Sequence, residues 1–142
     1  MAKIDEVSVA RLIARATGLT FSGRKFELGD WGQADDYIQL RPNRFLLLEV
    51  EGAGQKHPCT NVLKVWPYLE AKPQVAVILV QAFFPGSPGY NSSRGNLGSW
   101  LGQQLEANLG DRFRYRRLVI AADSSRILDG VEELLQCLKH LN

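Results

Sequence analysis

Asp35 to Lys56 reads DDYIQLRPNRFLLLEVEGAGQK. Two runs of strand character, Tyr37 to Leu40 and Phe45 to Val50, flank Arg41-Pro42-Asn43-Arg44. Proline presets φ and asparagine tolerates a left-handed backbone, so the stretch predicts a hairpin with its tip at Pro42-Asn43. With that tip Arg41 faces Arg44, and an unbroken antiparallel ladder sets Asp36 opposite Glu49 on one face of the sheet. Side chains alternate along a strand, so Glu51 joins Glu49 on that face while Val50 and Asp35 point the other way. Like charges gathered across a ladder repel unless a cation, a proton or open water relieves them. The cluster is therefore either a divalent-metal site or a solvated acidic sheet end. Phe45-Leu46-Leu47-Leu48 is apolar on both faces, which predicts an interior strand covered on both sides, and burial beside the carboxylates favours the metal.

At 142 residues and 45% hydrophobic composition, residues 1–142 are expected to form a single domain with its own core. The formal net charge is only +2, so a nucleic-acid partner has to be met by a local basic patch and not by a global field. Cys59 and Cys137 lack paired C-x-x-C spacing, which argues against a disulfide framework or a structural zinc and fits a reducing compartment. No apolar run reaches membrane-spanning length, and the expectation is a cytoplasmic protein with no membrane segment.

Val9, Leu12, Ile13 and Ala16 carry helical spacing, with Gly18 as the stop. Glu6 falls on or beside that stripe, either as a partner of the helix dipole or as an accessory carboxylate of the metal site. Arg24 to Leu28 alternates as a half-exposed strand with Glu27 facing solvent. Gly52-Ala53-Gly54 falls short of a dinucleotide fingerprint because His57 stands where the third glycine belongs, and no phosphate-loop lysine follows. Pro58 opens a helix with Val62, Val65, Trp66 and Leu69 on one stripe, and Pro67 predicts a kink or an end near Trp66. Lys64 lies off that stripe, as an ordinary solvated lysine would, and His57 and Cys59 are assigned to capping or packing. Val75 to Phe84 is the second interior strand, and its one polar member, Gln81, either satisfies backbone or faces the carboxylates.

Pro85 to Ser99 reads as a long loop, in which Tyr90, Asn91 and Arg94 offer an aromatic face and donors for nucleic-acid phosphate or sugar; the alternative is an ordinary surface loop. Trp100 to Leu109 forms the next helix, ended by Gly110. Arg112, Arg114, Arg116 and Arg117 crowd the entrance of a strand over Leu118 to Ala122, facing either phosphates or solvent. Ser124 or Ser125 caps a last helix with Ile127, Leu128, Val131, Leu134, Leu135 and Leu138 inward, and Cys137 is a structural thiol.

The order α-β-β-β-α-β followed by α-β-α, together with Asp36, Glu49 and Glu51, resembles the PD-(D/E)XK nuclease superfamily. The resemblance implies an α/β, restriction-endonuclease-like αβββαβ core, a mixed central sheet flanked by helices, with a C-terminal αβα extension. The family pattern sets an aspartate at the head of one hairpin strand and E-x-K on the other, written here as Asp36 with Glu49-Val50-Glu51, an E-x-E variant. Ala34-Asp35 stands where a proline-aspartate opening is often seen, which leaves the choice between Asp35 and Asp36 to the register. Glu51 replaces the lysine, and Lys56 or Lys64 becomes the candidate for a relocated ammonium group.

By that likeness Asp36, Glu49 and the Val50 carbonyl would hold one or two Mg²⁺ ions, with Mn²⁺ able to substitute. Glu51 would accept a proton or order the attacking water in phosphodiester hydrolysis, with DNA the preferred target over RNA. Two alternatives stay open: an inactive member serving as a nucleic-acid-binding or assembly module, and a metal-dependent hydrolase of small phosphoesters. A site-specific cutter of this length is expected to work as a homodimer or within a larger complex.

Overall fold

Phe45 to Leu48 and Val77 to Val80 carry apolar side chains on both faces, and such strands are stable only between two covering layers. The computed structural model, which describes residues 4–52, 57–85, 90 and 92–140, has that arrangement. The chain runs α1 (Ile4–Thr17), β1 (Phe26–Glu27), β2 (Gln33–Ala34), β3 (Asp36–Arg41), β4 (Arg44–Glu51), α2 (Pro58–Leu63), α3 (Val65–Ala71) and β5 (Ala76–Phe83). It continues with α4 (Ser93–Leu109), β6 (Phe113–Ile120), β7 (Ile127–Asp129) and α5 (Val131–Lys139). Strand order in the five-stranded sheet is β3-β4-β5-β6-β7, with β4, β5 and β6 mutually parallel and antiparallel strands at both edges. The protein is thus α/β, with a mixed central sheet flanked by helices, as the sequence predicts.

Each face of the sheet has its own core. Val9, Ala10 and Ile13 of α1 with Leu134 and Cys137 of α5 cover Leu46, Leu48, Ile78, Val80, Leu118 and Ile120. Val62, Val65, Leu69 and Leu105 cover Leu47, Val77, Leu79 and Phe113 on the other side. Among the described residues no helix is long and apolar enough to cross a membrane.

The hairpin tip is where the sequence predicts it, with Asn43 at φ 63° and Arg41 paired with Arg44. Its ladder is not unbroken. Gln39 pairs with Phe45, so Leu40 is an extra residue in β3 and Asp36 lands opposite Leu48, not Glu49. Two-residue turns outside the primed types splay the flanking strands, and a bulge beside the turn restores pairing with a stronger twist.

Other boundaries also shift. The strand over 24–28 shrinks to β1, which pairs with β2 in a separate ribbon and does not join the central sheet. Half of the expected loop over 85–99 is helix: the Ser92 hydroxyl accepts the Gly95 N–H at 3.1 Å and α4 starts at Ser93. β6 starts at Phe113 instead of Leu118, with Phe113 and Tyr115 alternating inward. Ile127 and Leu128 form edge strand β7 and not the last helix, which begins after Gly130 and takes no cap from Ser124 or Ser125. Pro67 has no N–H for the Leu63 carbonyl, and the helix breaks at Lys64 between α2 and α3.

Glycines give the start of α4 a loop-like sequence, but they serve close approach and not flexibility. A Cβ at Gly102 would stand 2.3 Å from the Tyr115 ring, and one at Gly98 would stand 3.1 Å from the Pro58 backbone. Gly102→Ala should therefore lower stability by about 1–3 kcal/mol in urea unfolding, the usual cost of overpacking, through the displaced Tyr115 ring. An unchanged unfolding midpoint would show that the ring yields freely.

Candidate active site

Parallel pairing sets Glu49 beside Gln81 and Gln81 beside Arg117, a row on the face covered by α2, α3 and α4. The row lies toward the carboxyl ends of the strands, where open α/β sheets place their ligands. Asp35 completes it. The Asp35 N–H donates to the Leu48 carbonyl and to Glu49 Oε1, both at 3.0 Å, and the Val50 N–H donates to Asp35 Oδ2 at 2.8 Å. Alternate residues of a strand direct N–H and C=O to the same edge, so the Val50 carbonyl points toward the Asp35 side of β4.

Asp36 is not in this row. It shares the opposite face with Leu48, and its Oδ1 accepts the Ser22 hydroxyl at 2.8 Å, the Gly23 N–H at 3.0 Å and the Tyr37 N–H at 2.7 Å. The Leu40 bulge is the cause, since a one-residue slip sends every side chain to the other face. Asp36 instead ties down the turn that delivers Lys25. The Lys25 ammonium lies 3.7 Å from Asp35 and 3.8 Å from Glu6, which brings the buried Glu6 to the margin of the site.

Glu49 is almost fully buried and meets Lys64 Nζ at 2.9 Å. Lys64 is not the solvated lysine its helical position implies: its ammonium also donates to the Gln33 carbonyl at 2.5 Å and to Asn61 Oδ1 at 3.1 Å. The break imposed by Pro67 falls at this residue. Burial pushes the Glu49 carboxyl up to about 8, helped by the Asp35 charge and opposed by Lys64.

Glu51 is fully buried, and both of its oxygens are occupied by Asn61 Nδ2, at 3.1 and 3.0 Å. Gln81 Nε2 donates to Glu51 at 2.8 Å and to the Pro58 carbonyl at 3.0 Å, so it fills both roles the sequence allows it. Its Oε1 accepts the Tyr115 hydroxyl, which in turn meets Ser99 Oγ at 3.3 Å. The chain from Lys64 through Asn61, Glu51 and Gln81 to Tyr115 is continuous. Sequence reasoning missed Lys25, Asn61 and Tyr115. Asn61 alone carried a signal, three residues before Lys64 on one helical face.

Of the residues expected to meet nucleic acid, Tyr90 has its ring 5.6 Å from the Arg117 guanidinium and Arg94 is exposed in the first turn of α4. Asn91 and Lys56 lie outside the described residues. Among the described residues no group of three or more histidine, cysteine, aspartate and glutamate side chains is arranged to hold a metal. The donor set that is present, the neighbouring Asp35 and Glu49 carboxylates, nevertheless fits Mg²⁺, which commonly takes one or two carboxylates and completes its shell with water and phosphate. A carboxylate oxygen that accepts one hydrogen bond keeps a second lone pair.

Comparison with protein-family models, with curated proteins and with solved structures finds no match to this chain.

Two outcomes follow from this geometry. Glu49 is raised in the fold from 4.5 to about 8, so its contribution to stability is full below 4.5 and is lost as pH rises through 8. Glu49→Gln should flatten the pH dependence of unfolding across that window, and an unchanged slope would place the titration elsewhere. Asp36→Ala strands the Gly23 and Tyr37 N–H groups and should cost about 1–3 kcal/mol in thermal or urea unfolding.

Proposed function

We propose that this chain is a metal-dependent phosphodiester hydrolase acting on nucleic acid, DNA ahead of RNA, on a restriction-endonuclease-like core. The observation that carries this reading is the Lys64 ammonium 2.9 Å from Glu49, with Asp35 bonded to the same carboxylate. The E-x-K pattern requires an ammonium beside the second acidic residue, and here one arrives from the break between α2 and α3. Asp35, within Ala34-Asp35, takes the role the unbroken ladder assigned to Asp36. The order of helix, hairpin, helix and parallel strand supports an αβββαβ core, with the departure that the first of the three expected strands pairs in a separate ribbon outside the central sheet.

Asp35, Glu49 and the Val50 carbonyl would hold Mg²⁺, with Mn²⁺ able to substitute. When bound, such an ion offsets phosphate charge and lowers the pKa of water. The chain's own groups do the rest. Lys64, whose three N–H groups are engaged by Gln33, Glu49 and Asn61, orients Glu49 and adds a fixed positive charge beside it. Glu51 is a positioning residue, because its buried oxygens are spent on Asn61 and Gln81. Glu49 would have to be ionised to hold a cation, so binding there would compete with the proton that burial favours. A binding module without hydrolysis is the second reading, favoured by Glu51 in place of the lysine and by the satisfied hydrogen bonds around it.

Mg²⁺-dependent plasmid nicking tests the assignment. Asp35→Asn, Glu49→Gln and Lys64→Met should each lose about 100-fold or more in rate, the scale expected for removing a charge-stabilising group. Asp36→Asn should keep most of the rate. Equal background cleavage by all the proteins would end the hydrolase reading, and retained DNA binding would then favour the module. Titration calorimetry with Mn²⁺ in buffers of different ionisation enthalpy should find proton release that vanishes in Glu49→Gln.

A further inference from the structure

We infer that Arg117 is a phosphate-binding residue of this same site, gripping the nucleic-acid backbone a short distance along the strand from the reacting bond. The inference rests on the proposed hydrolase reading and names how its substrate is held.

Four arginines crowd residues 112–117, and three of them are spent on the protein. Arg112 donates to the carbonyls of Leu69, Lys72 and Val75. Arg114 pairs with Asp111 at 3.0 Å and Arg116 with Glu106 at 2.7 Å. Arg117 differs. Among the described residues it meets no carboxylate within ion-pair distance, and its one hydrogen bond runs from Nη1 to Ser99 Oγ at 3.3 Å. Its Nε is buried without an acceptor. A guanidinium carries five N–H donors, and the single bond from Nη1 to Ser99 leaves N–H groups of Nη1 and Nη2 for an anion from outside the chain.

The plane of this group is fixed without consuming those donors. Its central carbon lies 4.5 Å from the Phe83 ring centroid and 5.6 Å from that of Tyr90. A guanidinium held over aromatic rings spends no N–H group on them, so its fork stays available for a two-pronged grip on an anion. The register supplies the position. Arg117 stands two strands from Glu49 in one row, which at strand spacing is ~10 Å. Phosphates recur every ~3.4 Å of rise along a strand, so one a few nucleotides from a bond at the carboxylates falls within reach. Acidic groups lie at one end of the row and an unpaired cation at the other, an arrangement suited to holding a backbone across both.

The test uses a fluorescein-labelled DNA duplex bound in EDTA over a salt series, with wild type, Arg117→Met and Arg117→Lys. Loss of one phosphate contact should lower the slope of log affinity against log salt by about 0.9 and weaken binding about tenfold in Arg117→Met. Arg117→Lys should keep the slope and lose affinity with the fork. In wild type, titration with inorganic phosphate should move the Arg117 guanidinium resonances, while chloride at matched ionic strength should not; this readout needs no variant to fold.

An unmoved resonance overturns the proposal, and so does an unchanged salt slope in a folded Arg117→Met protein. If wild type binds no duplex but phosphate still moves the resonance, the nucleic-acid reading fails while the anion site stands.

Discussion

Arg41 pairs with Arg44 and Gln39 with Phe45, and the extra residue between them, Leu40, turns the remainder of β3 over relative to β4. The placement of both neighbouring aspartates depends on that slip. With it, Asp35 bonds Glu49 and the Val50 N–H, and Asp36 is delivered to Ser22 and Gly23 on the reverse face. Two adjacent aspartates thereby acquire unrelated work: one faces the candidate chemistry, and the other ties down the turn that carries Lys25.

The carboxylate row is held by groups that are themselves held. Burial pushes the Glu49 carboxyl up to about 8, although Lys64 lies within hydrogen-bond distance. Burial and the Asp35 charge together outweigh the single ammonium in setting that shift. Glu51, with no exposure at all, is tolerated because Asn61 and Gln81 donate to both of its oxygens. Gln81 passes the constraint to Tyr115 and Ser99, so the acidic end and the Arg117 end of the row are mechanically joined.

Helices on one side of the sheet supply this support through two breaks with ordinary helical sequence. Pro67 interrupts the run after Pro58 so that Lys64 turns toward Glu49 instead of continuing along a solvated face. In α4 the glycines at 98 and 102 remove the bulk that would hold the helix off Pro58 and Tyr115. Close approach there brings Ser99 within reach of both Tyr115 and Arg117.

The apolar runs at 45–48 and 77–80, the helical stripes, the Pro42-Asn43 tip and the Pro67 break were legible in the chain, because each rests on local periodicity or on the backbone chemistry of one residue. Part of the site was legible too: Glu6, Asp36, Glu49, Glu51 and Gln81, all singled out in the chain, are the buried polar side chains among the described residues, whereas Lys25, Asn61 and Tyr115 were not. The glycine-rich start of α4 and the edge strand β7 were not legible, since close packing of α4 on Pro58 and Tyr115 and pairing of β7 with Val119 and Ile120 override their local preferences. Nor was the register. A strand apolar on both faces accepts either alignment of its partner equally well, so no hydrophobic pattern could choose Asp35 over Asp36. Only the assembled sheet decided which carboxylate meets Glu49 and which lysine answers it, because those distances depend on a bulge and a helix break whose effects are felt across the fold.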